Sequence, residues 1–299
     1  MREGREPLPM GAEIVPEGGV RFRTWATRAR QVEVILEGDG KGPAFPLQAE
    51  SDGFFSGIVK EAGPGSLYRF RLDGKETLAD PASRFQPEGP MGPSEVIDPD
   101  GYAWTDQDWR GLKPDGQVLY EMHIGTFTPE GTWRAAEAYL PALVELGITT
   151  IEMMPVSDFS GRFGWGYDNV SFFAPTRLYG RPDDLRHFID RAHALGLGVI
   201  HDIVYNHFGP TGCVLSQYSP CYVSDRTTEW GAGPNFDRQN CGPVRSFFLA
   251  NARYWIDEFH FDGYRVDATP QYFDDSPEHI LRGIAREARR AARGRSVYI

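Results

Sequence analysis

The chain has 299 residues and a formal net charge of −11, from 31 Lys plus Arg against 42 Asp plus Glu. The length accommodates roughly two domains, the acidic balance argues against nucleic acid as a partner because phosphates need a basic footprint, and 40% hydrophobic and 13% aromatic residues exclude a disordered chain. The opening MREGREPLPM lacks the apolar core of a signal peptide, and no later window approaches the roughly 20 apolar residues of a membrane span, so a cytoplasmic protein with no membrane partner is expected.

Four segments in the first third alternate apolar with polar residues at the period of a strand: VRFRTW from Val20, QVEVIL from Gln31, FFSGIV from Phe54 and LYRFRL from Leu67. Between them lie EGDGKGP, SDG, GPG and DGK, all turn chemistry. The pattern predicts an all-β, immunoglobulin-like sandwich, with Trp25 and Phe54 in its core. Residues 80–114 are rich in Pro, Gly and Asp and read as an ordered connector. The first unit is therefore expected over 1–109 and the second over 110–299.

From Val118 the period changes. VLYEMHI, ITTIEMM from Ile148, LGVIHDIVY from Leu197, FHFDGYRV from Phe259 and the final SVYI read as strands. Amphipathic helices separate them: one with Ala136, Leu140, Leu143 and Val144 on one face, ending at Gly147, and one with Leu185, Phe188, Ile189, Ala192 and Leu195, between Pro182 and Gly196. A third carries Val244, Phe247, Phe248, Asn251 and Trp255, and a last one is expected to open at Ser276 and Pro277. Repeated βα units imply parallel strands with right-handed crossovers. No glycine-rich phosphate fingerprint follows any strand, which favours a (β/α)8 barrel over a doubly wound sheet. A barrel takes about 250 residues, whereas the 182 residues from Val118 to Ile299 hold about four and a half strands. The barrel is expected to be incomplete within this chain, and as such to be aggregation-prone, with strand edges and inner faces open.

Catalytic side chains of such barrels stand at the C-terminal strand ends. Here the third strand closes on HDIVYNH, with Asp202, Asn206 and His207, and the fourth on YRVDA, with Tyr264, Arg265 and Asp267. The period of two puts Arg265 and Asp267 on one face. A guanidinium beside a carboxylate favours its ionised form, and an ionised, oriented carboxylate is what attack on an anomeric carbon requires. Taken alone, that strand is equally compatible with an Arg–Asp pair that only holds the barrel together. Asp202 and His207 on the neighbouring strand favour chemistry, since polar groups crowded at one rim are costly to bury without a ligand. His123 or His207 alone reads more readily as a hydrogen-bonded histidine than as a catalytic one. Tyr167, within the run Gly164 to Asp168, offers a ring face to a sugar, with loop packing as the plainer alternative. Glu152 is a further inward carboxylate, but its neighbours Met153, Met154 and Pro155 suggest a buried structural role. Cys213, Cys221 and Cys241 are odd in number and lack metal-ligand spacing, so reduced thiols are expected.

DIVYNH (Asp202 to His207) and GYRVD (Gly263 to Asp267), on successive strands, resemble the first two signature regions of the α-amylase superfamily, glycoside hydrolase family 13. The longer text, including GVRFRTWA, DPASRFQPEGPMGPSEVIDP, YEMHIGTFTPEGTW, GITTIEMMPVSDF, WGYD and YNHFGPTG, resembles the trehalose-releasing hydrolases of that family almost end to end. The resemblance implies a sandwich of the isoamylase N-terminal type followed by the catalytic barrel. It implies Asp267 as covalent nucleophile, Arg265 as the partner that keeps it ionised and oriented, and Tyr167, Asp168, Asp202 and His207 as substrate-binding residues beside the scissile bond. The implied substrate is an α-1,4-glucan, cut next to a terminal trehalosyl unit with retention.

Asn206 matches a position that helps bind calcium in some amylases, but a calcium site needs many oxygen ligands, so neither metal nor cofactor is expected. The family's general acid, a Glu just past the fifth strand, and a further Asp after the seventh would both lie beyond Ile299, so the 299 residues alone are expected to be inactive. Two departures, Pro270 three residues after Asp267 and Gly212-Cys213 after the YNHFGP run, fall on the leaving-group side. A branching or debranching enzyme, or a non-catalytic glucan-binding protein, stays open as an alternative.

Overall fold

The computed structural model describes residues 6–37 and 42–299. The first turn expected above, EGDGKGP, has its centre at 38–41, outside the described residues, as does the start of the N-terminal segment.

The sandwich comprises β1 (Gly11–Ile14), β2 (Val20–Trp25), β3 (Val32–Glu37), β4 (Ala44–Pro46), β5 (Gln48–Ala49), β6 (Phe54–Val59), β7 (Leu67–Leu72), β8 (Glu76–Leu78) and β9 (Ser94–Glu95). The four strands read from alternation are β2, β3, β6 and β7. The short strands carry too little alternation to be seen. One sheet runs β1-β2-β6-β5 and the other β4-β3-β7-β8, with β9 on β7. Val20 and Phe22 of β2 point inward while Arg21 and Arg23 do not, and Tyr68, Phe70 and Leu72 of β7 alternate with Arg69 and Arg71 in the same way. The two sheets meet where Phe22 and Tyr68 pack edge to face, 4.8 Å between centroids. Trp25 is buried as expected, with Nε1 donating to the Asp52 carbonyl at 2.8 Å. Phe54 is only half-buried, under the Arg23 guanidinium at 4.0 Å.

The second unit holds β10 (Leu119–Met122), α1 (Ile124–Phe127), α2 (Trp133–Glu137), α3 (Leu140–Glu145), β11 (Thr150–Met153), β12 (Ser157–Phe159), β13 (Asn169–Pro175), α4 (Pro182–Ala194), β14 (Gly198–Ile203), α5 (Leu215–Tyr218), β15 (Val223–Thr228), β16 (Gly231–Pro234), α6 (Cys241–Phe259), β17 (Tyr264–Val266) and α7 (Ile280–Ala291). β10, β11, β14 and β17 lie side by side in chain order and pair in parallel. Sequential order without reversal is the arc of a barrel and not a doubly wound sheet.

Several expected elements differ in the structure. The first helix is two, α2 and α3, interrupted before Pro141, whose ring and missing N–H do not fit a helix interior; Val144 is exposed while Ala136, Leu140 and Leu143 are buried. The last helix opens at Ile280 and not at Ser276, because the Asp274 carboxylate accepts from the backbone N–H of Ser276 at 2.9 Å and of Ile280 at 2.5 Å, forming a turn. The strand expected from Phe259 is shorter: Phe259 ends α6, His260 closes it at φ 58°, and β17 begins after Gly263. Gly263 sits at φ 141°, where a Cβ would meet the Tyr298 carbonyl oxygen at 1.7 Å. The final SVYI forms bridges at Ser296 and Tyr298 rather than a strand. The hairpins β12–β13 and β15–β16, inserted after β11 and β14, were not visible in the period of the sequence.

The sandwich rests on the second hairpin's flank: Trp25 meets Tyr222 edge to face at 4.9 Å, and the Tyr218 hydroxyl donates to the Ala79 carbonyl at 2.8 Å. The connector docks on the base of the arc. Asp106 Oδ2 lies 2.8 Å from His193 Nδ1 and 2.8 Å from His260 Nδ1, and Trp109 Nε1 donates to Asp262 at 2.7 Å. Among the described residues no helix is long and apolar enough to cross a membrane.

Candidate active site

The parallel register of β14 and β17 sets Asp202 opposite Arg265, flanked by His201 opposite Tyr264 and Ile203 opposite Val266. The ladder continues one step further, with the Asp267 N–H donating to the Ile203 carbonyl at 3.0 Å. Ala268 then takes a left-handed conformation at φ 45°, which turns the chain away and leaves Asp267 at the strand's tip. Two strand ends thus deliver a carboxylate, a guanidinium and a second carboxylate to one rim.

A single nitrogen joins them. Arg265 Nη1 lies 2.8 and 3.0 Å from the two oxygens of Asp202 and 2.5 Å from Asp267 Oδ1. Tyr167, brought over by the loop between β12 and β13, donates its hydroxyl to Asp202 Oδ2 at 2.8 Å. Burial pushes the Asp202 carboxyl up to about 7, against the lowering pull of Arg265 and Tyr167. Burial likewise raises the Tyr167 hydroxyl, assisted by the Asp202 charge, so the phenol stays protonated and remains a donor. Arg265 is held above its usual range by hydrogen bonds to both carboxylates, which outweigh its own burial.

The two carboxylates differ in access. The Asp202 side chain has 0% exposed surface and both its oxygens are bonded, whereas the Asp267 side chain keeps 16% exposure. Asp267 is the carboxylate that an incoming group can reach. His207 lies alongside, with Nδ1 at 2.9 Å from Asn206 Nδ2 and a bond to the Tyr167 backbone. Burial lowers its pKa, against the pull of the Asp168 and Asp267 charges, so the ring is neutral near pH 7. Asp168 itself is exposed on the same loop. All six residues expected at the site therefore converge: Tyr167, Asp168, Asp202, His207, Arg265 and Asp267.

Glu152 is not buried as expected. It is half-exposed on the inner face of the arc, and its carboxyl is raised by burial and by Glu121, its register partner on β10, with Arg265 pulling the other way. It lines a cavity of about 440 Å³ with Leu119, Ile200, Arg265 and Thr269. A larger cavity, about 600 Å³, lies elsewhere, against the connector at Trp104 and Trp109. Trp230, between β15 and β16, is exposed and faces His207 at 5.9 Å between ring centroids; a lone aromatic in an inserted hairpin gives no signal in the sequence. Among the described residues no group of three or more His, Cys, Asp or Glu could hold a metal. The buried Asn206 Oδ1 has no partner among the described residues, but a single neutral oxygen falls short of a calcium site.

Residues 9–99 match the family model of carbohydrate-binding module 48, the isoamylase N-terminal domain, and residues 96–217 match that of the alpha amylase catalytic domain. The chain is 47% identical over 287 residues to a malto-oligosyltrehalose trehalohydrolase of Deinococcus radiodurans, covering 96% of this chain and 45% of that protein. The chain belongs to glycoside hydrolase family 13, the α-amylase superfamily. Other members it matches include a malto-oligosyltrehalose trehalohydrolase of Saccharolobus solfataricus, 42% identical over 90% of this chain and 47% of that protein. A 1,4-alpha-glucan branching enzyme of Rhodospirillum rubrum is 36% identical over 87% of this chain and 39% of that protein. A crystal structure of a candidate alpha amylase from Salmonella typhimurium superposes with a TM-score of 0.92 at 44% identity, over 98% of this chain and 49% of that one. This family 13 chain thus spans about half the length of the curated relatives it matches.

Proposed function

We propose that these residues form the nucleophile side of a retaining α-glucan hydrolase, and that its substrate is malto-oligosyltrehalose, cut at the α-1,4 bond next to the terminal trehalosyl unit to release trehalose. The observation that carries the reading is the single guanidinium nitrogen shared by Asp202 and Asp267, with only Asp267 left accessible. The resemblance to curated trehalohydrolases at 47% and 42% identity supports the substrate. We place the division between the glucan-binding sandwich and the barrel at 109/110.

In this reading Asp267 forms a bond to the anomeric carbon while the glycosidic oxygen leaves with a proton, and water then releases the sugar from Asp267 with the configuration retained. Arg265 keeps the attacking carboxylate charged and aimed. Tyr167 and Asp202 fix Arg265 from behind, and His207 and Asp168 bind sugar hydroxyls at the same rim. A retaining pair stands about 5–5.5 Å apart and needs a protonated partner open to the leaving oxygen. Asp202 does not qualify, because its oxygens face Arg265 and Tyr167 and it has no exposed surface. Glu152 stands two strands from Asp267, on β11. We assign the acid, on the family resemblance alone, to a Glu just past the fifth strand, and the 299 residues by themselves are expected to show no turnover.

A second reading keeps the nucleophile and changes the acceptor: the 36% identity to a branching enzyme favours transfer to a sugar hydroxyl in place of water. Product analysis separates the two. The whole protein should yield trehalose as the small product from malto-oligosyltrehalose and leave the branching of glycogen unchanged. New α-1,6 linkages with no trehalose would favour the second reading, and robust hydrolysis by the 299 residues alone would contradict the assignment of the acid.

A further inference from the structure

The loop between β12 and β13 carries Tyr167 to Asp202, yet its large side chains do not anchor it: Phe163 is 91% exposed and Trp165 is 70% exposed. Its backbone is held by the close approach of Gly164 to the Phe159 ring and of Gly166 to Pro155, and by discrete bonds. At its start Ser160 Oγ donates to the Thr211 carbonyl at 2.8 Å, and Arg177 Nη2 donates to the Gly161 carbonyl at 3.1 Å. In its middle the bond comes from His123, which directly follows β10 on the rim where the strands end.

His123 Nε2 lies 3.0 Å from the Gly164 carbonyl oxygen. A carbonyl only accepts, so Nε2 carries the proton, and Nδ1, 2.9 Å from Thr126 Oγ1, accepts from that hydroxyl. The Tyr179 hydroxyl oxygen, 2.9 Å from the same Nε2, shares that proton as a second acceptor. Gly125 makes room for this contact, since a Cβ there would meet His123 Cε1 and Tyr179 Cε1 at 3.0 Å each. Beyond Gly164 the backbone has one path: Gly166, at φ 93°, packs where a Cβ would lie 2.2 Å from the Pro155 carbonyl oxygen. Tyr167 follows at once and reaches Asp202.

We propose that His123 is a positioning residue: its Nε2–H, by holding the Gly164 carbonyl, orders the loop so that Tyr167 meets Asp202 before any glucan binds. The ordering cost is thus met in folding and not charged against substrate binding. The catalytic consequence rests on the glycosidase reading above; the ordering of the loop does not.

Two variants of the whole protein test it. His123→Leu is expected to speed amide exchange at Trp165–Tyr167 at least about fivefold and to lower kcat/KM on α-1,4-glucans about tenfold. His123→Gln, whose amide keeps an N–H within reach of Gly164, should hold both near the unsubstituted values. Unchanged exchange in His123→Leu, or equal losses in the two variants, would overturn the proposal. If the whole protein with His123 intact cleaves no α-1,4-glucan, the glycosidase reading fails, and the exchange comparison alone decides the loop claim.

Discussion

At the scale of residues the site depends on how one guanidinium is shared. Asp202 is fully buried and Asp267 partly open, so the same Arg265 nitrogen bonds one carboxylate inside the protein and, in the glycosidase reading proposed above, orients the other for attack. Burial raises the Asp202 carboxyl to about 7 from its ordinary value of 3.8. An acid whose folded pKa is raised contributes stability that is full below its unfolded pKa and is lost as pH rises through the folded value. The Asp202 contribution therefore declines from about pH 4 to about pH 7. In Asp202→Asn the change in unfolding free energy between pH 4.5 and pH 8 should be more positive than in the unsubstituted protein, measured by denaturant titration at the two pH values; an unchanged difference would count against the raised carboxyl. The residues themselves were legible in the sequence because period two and the strand-end position put Arg265 and Asp267 on one face. Their division of labour was not. Which carboxylate is buried depends on Tyr167, which arrives from a loop 35 positions before Asp202, and no local pattern encodes that approach.

At the scale of elements, α4 and α6 are joined by a buried ion pair. Arg186 is bonded to Glu258 and, at 2.5 Å, to Asp183, and its guanidinium also lies 4.9 Å from the Phe259 ring centroid. Its charge is kept despite burial because Glu258 opposes the desolvation. Removing one partner of such a pair weakens the compensation of the other buried charge and is destabilising, whereas replacing both with apolar groups is often near neutral. Arg186→Met should therefore destabilise strongly, and the Arg186→Met/Glu258→Leu double variant should recover most of that loss in thermal melts. The amphipathic period places α4 between Pro182 and Gly196, but it carries no sign that Arg186 pairs with Glu258. The misplacements share one cause: polar side chains and ring geometry override periodicity, as at Pro141, at the Asp274 turn before α7 and at His260 after α6. Longer, strongly periodic elements such as β7 and α4 escape this because no proline or backbone-capping carboxylate breaks their interior.

At the scale of the whole molecule, the connector fastens the first unit to the base of the arc through His193. Both ring nitrogens face carboxylates, Asp106 at 2.8 Å and Asp262 at 2.9 Å, so both must donate and the ring is an imidazolium. Burial opposes this charge, but Asp262 and Asp106 outweigh it and raise the pKa. A raised histidine gives stability that is complete below its unfolded value and is lost as pH rises through the folded one. Thermal stability should thus fall on the alkaline side of about 6.5, and His193→Asn should remove that step; an alkaline loss of the same size in the variant would contradict the clamp. The sandwich-then-barrel order was legible from the change of period at Val118, whereas the docking of Trp104, Asp106 and Trp109 was not, because a Pro- and Gly-rich stretch carries no period at all.

Asp267, as the proposed nucleophile of a retaining α-glucan hydrolase, can be trapped as its glycosyl ester. Incubating the whole protein with a 5-fluoro-α-glucosyl fluoride, which slows breakdown of a glycosyl–enzyme ester, and mapping the adduct by peptide mass spectrometry should place the sugar on Asp267 and nowhere in Asp267→Asn. An adduct on another carboxylate, or turnover of α-1,4-glucan by Asp267→Asn at more than about a thousandth of the normal rate, would contradict it.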